Sequence, residues 1–354
     1  MEYGIALATH AESWRHVKRA EELGYVNASF FDTQLLNADL FVAMGAAAMV
    51  TTRITLATGV LIPSNRIAPV TASALGSLNQ LAPGRIEFGI STGFTGRRTM
   101  GLKRVKQADM KDYIRVVQAL LAGETVEWEF EGKHRKIRFL NPEIGAINIK
   151  DKIPLYISAT GPRSRSLVAE LGAGWICPLG RAQNAIAAME DMKRKWQAAG
   201  RDLKDLHVHG EIGGCVLKEG EAPDSPRAKD QAGPTAIMLL HDIVEEDMQD
   251  RAPGALPPAL LPALEKYRRL YETFEPKDAR YLANHRGHLM ILRPEEHEVC
   301  TADLIRTLTM TATRSELQER LRALGKAGYT HVAVSIRHGH PEMLEEWAEV
   351  FAGI

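Results

Sequence analysis

The chain has 354 residues, of which 45% are apolar and 25% charged, so it can bury a large core and has the composition of a globular protein. With 44 Lys plus Arg against 44 Asp plus Glu the formal net charge is zero, and no global field draws the chain to nucleic acid or to an anionic membrane. Three widely separated cysteines, Cys177, Cys215 and Cys300, suit neither a disulfide framework nor a Cys-rich zinc site, and a reducing cytoplasm is expected.

The N-terminus runs directly into a strand-like segment with no basic and apolar leader, so secretion is not expected. That first strand covers 3–8 and precedes a helix over 12–23. The alternation then continues with a strand at 28–31, a helix at 39–49, a strand at 54–58, a helix at 70–81, a strand at 86–90 and a helix at 110–121. Further along come a strand at 155–158, a helix at 164–171, a strand at 175–176, a helix at 182–199, a strand at 207–216, and finally a helix at 315–327, a strand at 331–336 and a helix at 341–351. Gly24, Gly84, Gly172, Gly200 and Gly328 fall where a helix needs a left-handed C-terminal residue. Eight strands alternating with helices in a chain of this length argue for an α/β fold of the (β/α)8 TIM-barrel type, one domain over 1–354, rather than an open sheet.

Two segments interrupt the alternation. Residues 218–283 carry eight prolines and two amphipathic stretches, 235–250 and 259–274, and read as a mostly helical insertion (about 218–299) between the seventh and eighth strands. Residues 126–139 alternate around Glu131-Gly132-Lys133 as a small hairpin. Placed at the C-terminal mouth of the barrel, both would cover an active site. No run of about 18 apolar residues is present, so no membrane span is expected.

Four segments carry a resemblance: Arg-Ile-Thr-Leu-Ala-Thr-Gly-Val-Leu-Ile-Pro-Ser-Asn-Arg at 53–66, Leu-Ala-Pro-Gly-Arg-Ile-Glu-Phe-Gly-Ile-Ser-Thr-Gly at 81–93, Ile-Pro-Leu-Tyr-Ile-Ser-Ala-Thr-Gly-Pro at 153–162, and Thr-Ala-Thr-Arg-Ser-Glu-Leu at 311–317. In this order they resemble the bacterial-luciferase-like flavin family, which contains reduced-FMN monooxygenases and F420-dependent reductases. The resemblance implies a TIM barrel with a flavin ring lying over Thr58-Gly59, Ser91-Thr92 and Ala159-Thr160-Gly161, and a non-proline cis peptide near Thr58-Gly59-Val60. It also implies a small organic substrate, a separate flavin reductase as possible partner, and a homodimer or higher homo-oligomer.

Local chemistry adds to this. Pro162 in the first turn of a helix, capped by Thr160 or Gly161, leaves free amides and the positive dipole end for an anion, with Arg163 and Arg165 adding charge; relatives use this loop for the flavin phosphate. Many family members carry a His after the second strand, where this chain has Phe31-Asp32-Thr33-Gln34, so Asp32 becomes the carboxylate candidate there, and an Asp at a strand end is equally a structural cap. His10 after strand one and Glu211 in strand seven are further candidates for proton handling. Arg97 and Arg98 in the basic loop after strand four could close over a substrate anion, and His285, Arg286 and His288 are the insertion's candidates for the substrate pocket.

The rival class is a metal-dependent barrel hydrolase, because His207/His209, His285/His288 and His338/His340 have ligand-like spacings. No carboxylate pattern accompanies them, so no metal is expected. A flavin-binding protein without turnover is the third class. The expected function is reduced-FMN monooxygenation of a small organic substrate, with F420-dependent hydride transfer as the alternative.

Overall fold

The computed structural model describes residues 1–179, 182–245 and 257–354. In chain order its strands are β1 (Glu2–Leu7), β2 (Asn27–Phe30), β3 (Thr55–Thr58), β4 (Ile86–Ile90), β5 (Val126–Phe130), β6 (Lys133–Ile137), β7 (Leu155–Ser158), β8 (Gly174–Pro178), β9 (Val208–Ile212), β10 (Val216–Leu217), β11 (Ala312–Thr313) and β12 (His331–Ile336). Eight of them close a parallel barrel in the order β1-β12-β9-β8-β7-β4-β3-β2. Closure removes every sheet edge and brings the C-terminal ends of all eight strands to one mouth.

The barrel helices are α1 (Trp14–Glu22), α2 (Leu40–Val50), α3 (Ala68–Leu81), the short α4 (Thr95–Arg98), α5 (Gln107–Leu121), α6 (Pro162–Leu171) and α7 (Ala182–Ala198). Among the described residues three α-helices fall within 218–299, α8 (Pro226–Glu245), α9 (Leu261–Glu272) and α10 (Tyr281–Asn284); α11 (Ala302–Leu308) extends the inserted segment past 299, and α12 (Arg314–Ala327) and α13 (Met343–Phe351) follow. Local sequence sets their ends: Asp39 accepts from the amides of Phe41 and Val42 at 2.8 and 3.2 Å and so starts α2. All five glycines that the pattern marks as helix stops have positive φ, from 61° at Gly172 to 116° at Gly328. Among the described residues no helix is long and apolar enough to cross a membrane.

Two expectations need correction. The strand expected over 207–216 ends at Ile212, because Gly213-Gly214 turns the chain; a Cβ on Gly214 would lie 2.2 Å from the Met310 carbonyl oxygen, so only glycine fits there. Residues 289–292 form no strand either, and Leu289 has a φ of 61°. The stretch expected over 235–250 lies in α8, which begins earlier, at Pro226, while 246–250 fall outside the described residues. The insertion packs a second core of its own, with Ile237, Leu240, Leu264, Tyr267 and Leu304 buried together.

The hairpin β5–β6 forms as expected, but none of its residues lines the mouth; Trp128 and Phe130 stack at 4.8 Å beside Pro63 and Ile67, on the outside of the barrel. The barrel interior below the mouth is polar. His209 packs on Tyr156 at 4.3 Å and on His331 at 4.2 Å, and Asn27 Nδ2 donates to Glu87 Oε2 at 2.9 Å. Gly174 makes room for Tyr156, since a Cβ there would lie 2.1 Å from the ring. This layer closes the bottom of the barrel, so access is from the mouth.

Candidate active site

The mouth contains a cavity of about 240 Å3. Its floor is made of backbone and small side chains at the strand ends, Gly59, Ser91, Ser158, Gly213 and Ser335, and its walls are Phe31, Phe94, Met238 and Leu289. Alternation along each strand explains the floor, because the small residues sit on the inward face where eight strands crowd. Such a floor fits a planar tricyclic ring of the flavin type: nothing longer than a hydroxymethyl rises from those five positions. The peptide Gly59–Val60 is cis, at the place that the resemblance implies.

One ionisable group of the floor stands apart. Glu211 on β9 lines the cavity and has no hydrogen-bond partner for its carboxyl among the described residues. Burial without a cation pushes its pKa up to about 7, where a carboxyl can both take and give a proton at neutral pH. Glu87, one layer below, is likewise pushed up to about 7 by burial, against the opposing hydrogen bond from Asn27.

Asp32 lines the cavity edge, but its oxygens are committed elsewhere. They accept from the amide of Ile62 at 3.2 Å, Asn65 Nδ2 at 3.1 Å and Arg66 Nη1 at 2.9 Å, which makes Asp32 the anchor of the loop after β3. Thr58 is buried and gives its hydroxyl to the Gly89 carbonyl at 2.7 Å. Gly59 and Ser91 line the cavity; Thr92 does not, and its carbonyl accepts from Val105 to hold the following loop. Ala159 is buried and accepts from Trp175 Nε1 at 2.8 Å, just below the mouth.

Gly161 is the cap residue of α6, with Ser164 Oγ accepting its amide at 3.2 Å. Thr160 accepts from Arg165 Nη1 at 2.7 Å, and Arg165 also pairs with Asp191 at 2.7 Å; Arg165 therefore braces this loop rather than offering a free cation. Arg163 is exposed in the first turn of α6, where amides have no intrahelical acceptor. Those amides, with Arg163, are the residues that would hold a cofactor phosphate.

The remaining expected residues do not gather in the cavity. His10 lies 5.7 Å from His16 and 6.0 Å from His338, and burial and the His338 charge lower its pKa. Arg97 donates to the Lys103 carbonyl at 2.7 Å, and Arg98 lies over the Phe94 ring at 5.9 Å. Arg286 is exposed and pairs with Glu295 at 3.0 Å, away from the cavity. His285 and His288 are buried behind Phe94, each 6.2 Å from its ring, and Phe94 separates them from the cavity.

Sequence reasoning names none of Phe94, Thr235, Met238 and Leu289, which line the cavity, nor Arg337, which is hydrogen-bonded to Thr235 and Leu289. Arg337 follows β12 directly, a position that the barrel rule alone marks as belonging to the mouth.

A profile of the luciferase-like monooxygenase family matches residues 3–331. The chain is 32% identical over 232 residues to an F420-dependent glucose-6-phosphate dehydrogenase of Beutenbergia cavernae, covering 60% of this chain and 65% of that protein. It is 30% identical over 195 residues to a 5,10-methylenetetrahydromethanopterin reductase of Methanolobus tindarius, covering 54% and 58%. The aligned region thus spans less than two thirds of the length of these curated relatives. Among solved structures, the coenzyme F420 dependent tetrahydromethanopterin reductase of Methanopyrus kandleri superposes with a TM-score of 0.72 at 20% identity, over 98% of this chain and 97% of that one. With a closed eight-stranded parallel barrel and the profile covering most of the sequence, the chain belongs to the luciferase-like monooxygenase family.

Proposed function

We propose that this protein is an F420-dependent oxidoreductase that moves hydride between the deazaflavin and a small organic substrate. This reverses the order expected from sequence, where oxygenation with reduced FMN stood first. The likeness to a relative named as an F420-dependent dehydrogenase supports the cofactor. Glu211 is the observation that carries the reaction type, because hydride transfer at a carbon bearing oxygen or nitrogen needs a proton taken or given at the heteroatom.

When bound, the deazaflavin supplies a two-electron hydride acceptor or donor. The chain's own residues do the rest. Gly59, Ser91 and Gly213 let a ring approach the backbone closely, and the first turn of α6 with Arg163 holds a phosphate. Phe94, Met238 and Leu289 exclude water from the space above the floor. Ionised Glu211 takes the proton when a substrate is oxidised, and protonated Glu211 returns it when one is reduced.

A separate flavin reductase belongs only to the FMN reading. A homo-oligomer is part of this proposal: α2 exposes Val42 and Met49, 64% and 70% accessible, beside the exposed Val70 of α3. The test is anaerobic turnover, followed by loss of the F420 visible absorption with a panel of secondary alcohols and hemiacetals. Turnover that falls about 100-fold or more in Glu211→Gln with unchanged F420 affinity is the expected result. A Glu211→Gln variant with parental turnover would remove Glu211 from the chemistry.

A further inference from the structure

The insertion holds a group of imidazoles that the mouth does not use. His241 on α8, and His285 and His288 in the turn after α10, are at most 2% exposed, and one ring nitrogen from each lies within 4.8 Å of those of the other two. Two of the three are fixed from behind. Glu296 Oε1 is 2.7 Å from His241 Nε2, and Glu245 Oε2 is 2.9 Å from His285 Nε2.

These contacts determine the tautomers. Glu296 forms an ion pair with Arg293, so its oxygens only accept, and Nε2 of His241 carries the proton. Glu245 accepts from Asn284 Nδ2 as well as from His285, so Nε2 of His285 carries its proton too. Both rings, when neutral, therefore present a lone pair at Nδ1. Nδ1 of His285 is buried with no partner among the described residues, and Nδ1 of His241 faces Nδ1 of His288 at 2.7 Å. With a lone pair on His241 Nδ1, His288 Nδ1 carries the proton of that contact, which an incoming metal ion displaces, and His288 Nε2 has no partner among the described residues.

Lone pairs converging from buried imidazoles, with the far nitrogens donated to carboxylates, form the arrangement that orients histidines around a metal. We propose that His241, His285 and His288 bind a divalent transition-metal ion of the zinc class, with Glu296 and Glu245 positioning two of the rings. Three neutral imidazoles suit such an ion and leave a fourth position for water. The ion would tie α8 to the turn after α10 and back the Phe94 wall of the cavity from 6.2 Å behind its ring.

Cobalt(II) is the probe. The tag-free protein is stripped with chelator and titrated with Co2+, and the visible ligand-field bands are read together with metal content by mass spectrometry. One equivalent bound per chain is expected, with bands of a nitrogen and oxygen site and no sulfur charge transfer, displaced by Zn2+. His285→Ala and His288→Ala should lose about 100-fold or more in affinity, and Glu245→Gln about 10-fold to 100-fold. His338→Ala, in the separate group with His10 and His16, should bind as the parent does. No saturable site in the parent, parental bands in His285→Ala, or bands lost in His338→Ala would each overturn the proposal. Where a variant fails to fold, the parent's own stoichiometry and a rise in its melting temperature with Zn2+ decide, and absence of both counts against the site.

Discussion

Arg337 Nη1 donates to the carbonyl of Leu289 at 2.7 Å, joining the last barrel strand to the far side of the insertion. The same guanidinium donates from Nε to the Gln231 carbonyl at 2.9 Å and from Nη2 to the Thr235 hydroxyl. No carboxylate pairs with it among the described residues, and burial lowers its pKa to about 10. Thr235 and Leu289 both line the cavity, so this one side chain sets where the insertion stands over the mouth.

Arg337→Met should therefore loosen the insertion while sparing the barrel. Removing three hydrogen bonds and leaving two buried carbonyls without donors costs about 2–4 kcal/mol. Urea unfolding should show that loss, and limited trypsin digestion of the native variant should cut first within 218–299. Equal digestion of parent and variant would show that other contacts hold the insertion.

Asp32 is an anchor on this account. Its ion pair with Arg66 is largely buried, at 4% and 15% side-chain exposure, and Asp32→Ala leaves that guanidinium only its second pair, with Asp39, and takes the acceptor from the Ile62 amide and Asn65. A loss of about 3 kcal/mol in unfolding free energy is expected. Parental stability together with abolished turnover would instead make Asp32 a chemical group.

The pH dependence of stability follows from the two carboxyls inside the barrel. Glu211 and Glu87 have ordinary pKa values of 4.5 unfolded and about 7 folded, both because of burial. Between those values the unfolded chain releases a proton that the folded chain keeps, so stability falls as pH rises from 4.5 to 7 and is lowest above it. His331 acts in the opposite direction: burial lowers it from 6.5 to about 4, so stability falls as pH drops through that window. Glu211→Gln should be more stable than the parent above pH 7, by up to about 3 kcal/mol, with the difference gone near pH 4. Melting curves across pH check this, and a constant difference would mean that Glu211 is not a shifted group.

How far the sequence could be read follows from what kind of signal each part leaves. The barrel was legible because five helix stops carry a glycine with positive φ and most strands are short apolar runs, both local signals. The floor at Gly59 and Ser91 was legible through resemblance. Arg286 was not, because its partner Glu295 lies in a segment of no regular pattern, and proximity of Arg286 to two histidines in sequence said nothing about which way it points. His241 was invisible for a related reason: it sits alone in an amphipathic stretch, and only the folding of the turn after α10 against α8 brings His285 and His288 to it. Asp32 was identified by position, while its three donors come from a loop beyond the next strand.

Gly161→Asp separates binding from folding at the proposed phosphate cradle. Gly161 has extended backbone, with φ of −98° and ψ of 163°, and the nearest atom to an added Cβ is Ser164 Oγ at 3.9 Å, so aspartate fits. Aspartate is also the better helix cap, so stability should hold or rise by a few tenths of a kcal/mol. Its carboxylate would occupy the first-turn amides and repel a phosphate. Calorimetric titration should show cofactor affinity falling about 10-fold or more, by the loss of roughly 1.4 kcal/mol or more of binding. Unchanged affinity would move the phosphate elsewhere.

The central claim, that this mouth serves a deazaflavin and hydride transfer, is tested most directly by titrating the same protein anaerobically with F420, FMN and reduced FMN and comparing dissociation constants. The account predicts that F420 binds most tightly, and that Gly161→Asp weakens it while Glu211→Gln does not. Tight binding of reduced FMN with F420 unbound, followed by substrate oxygenation when O2 is admitted, would contradict it.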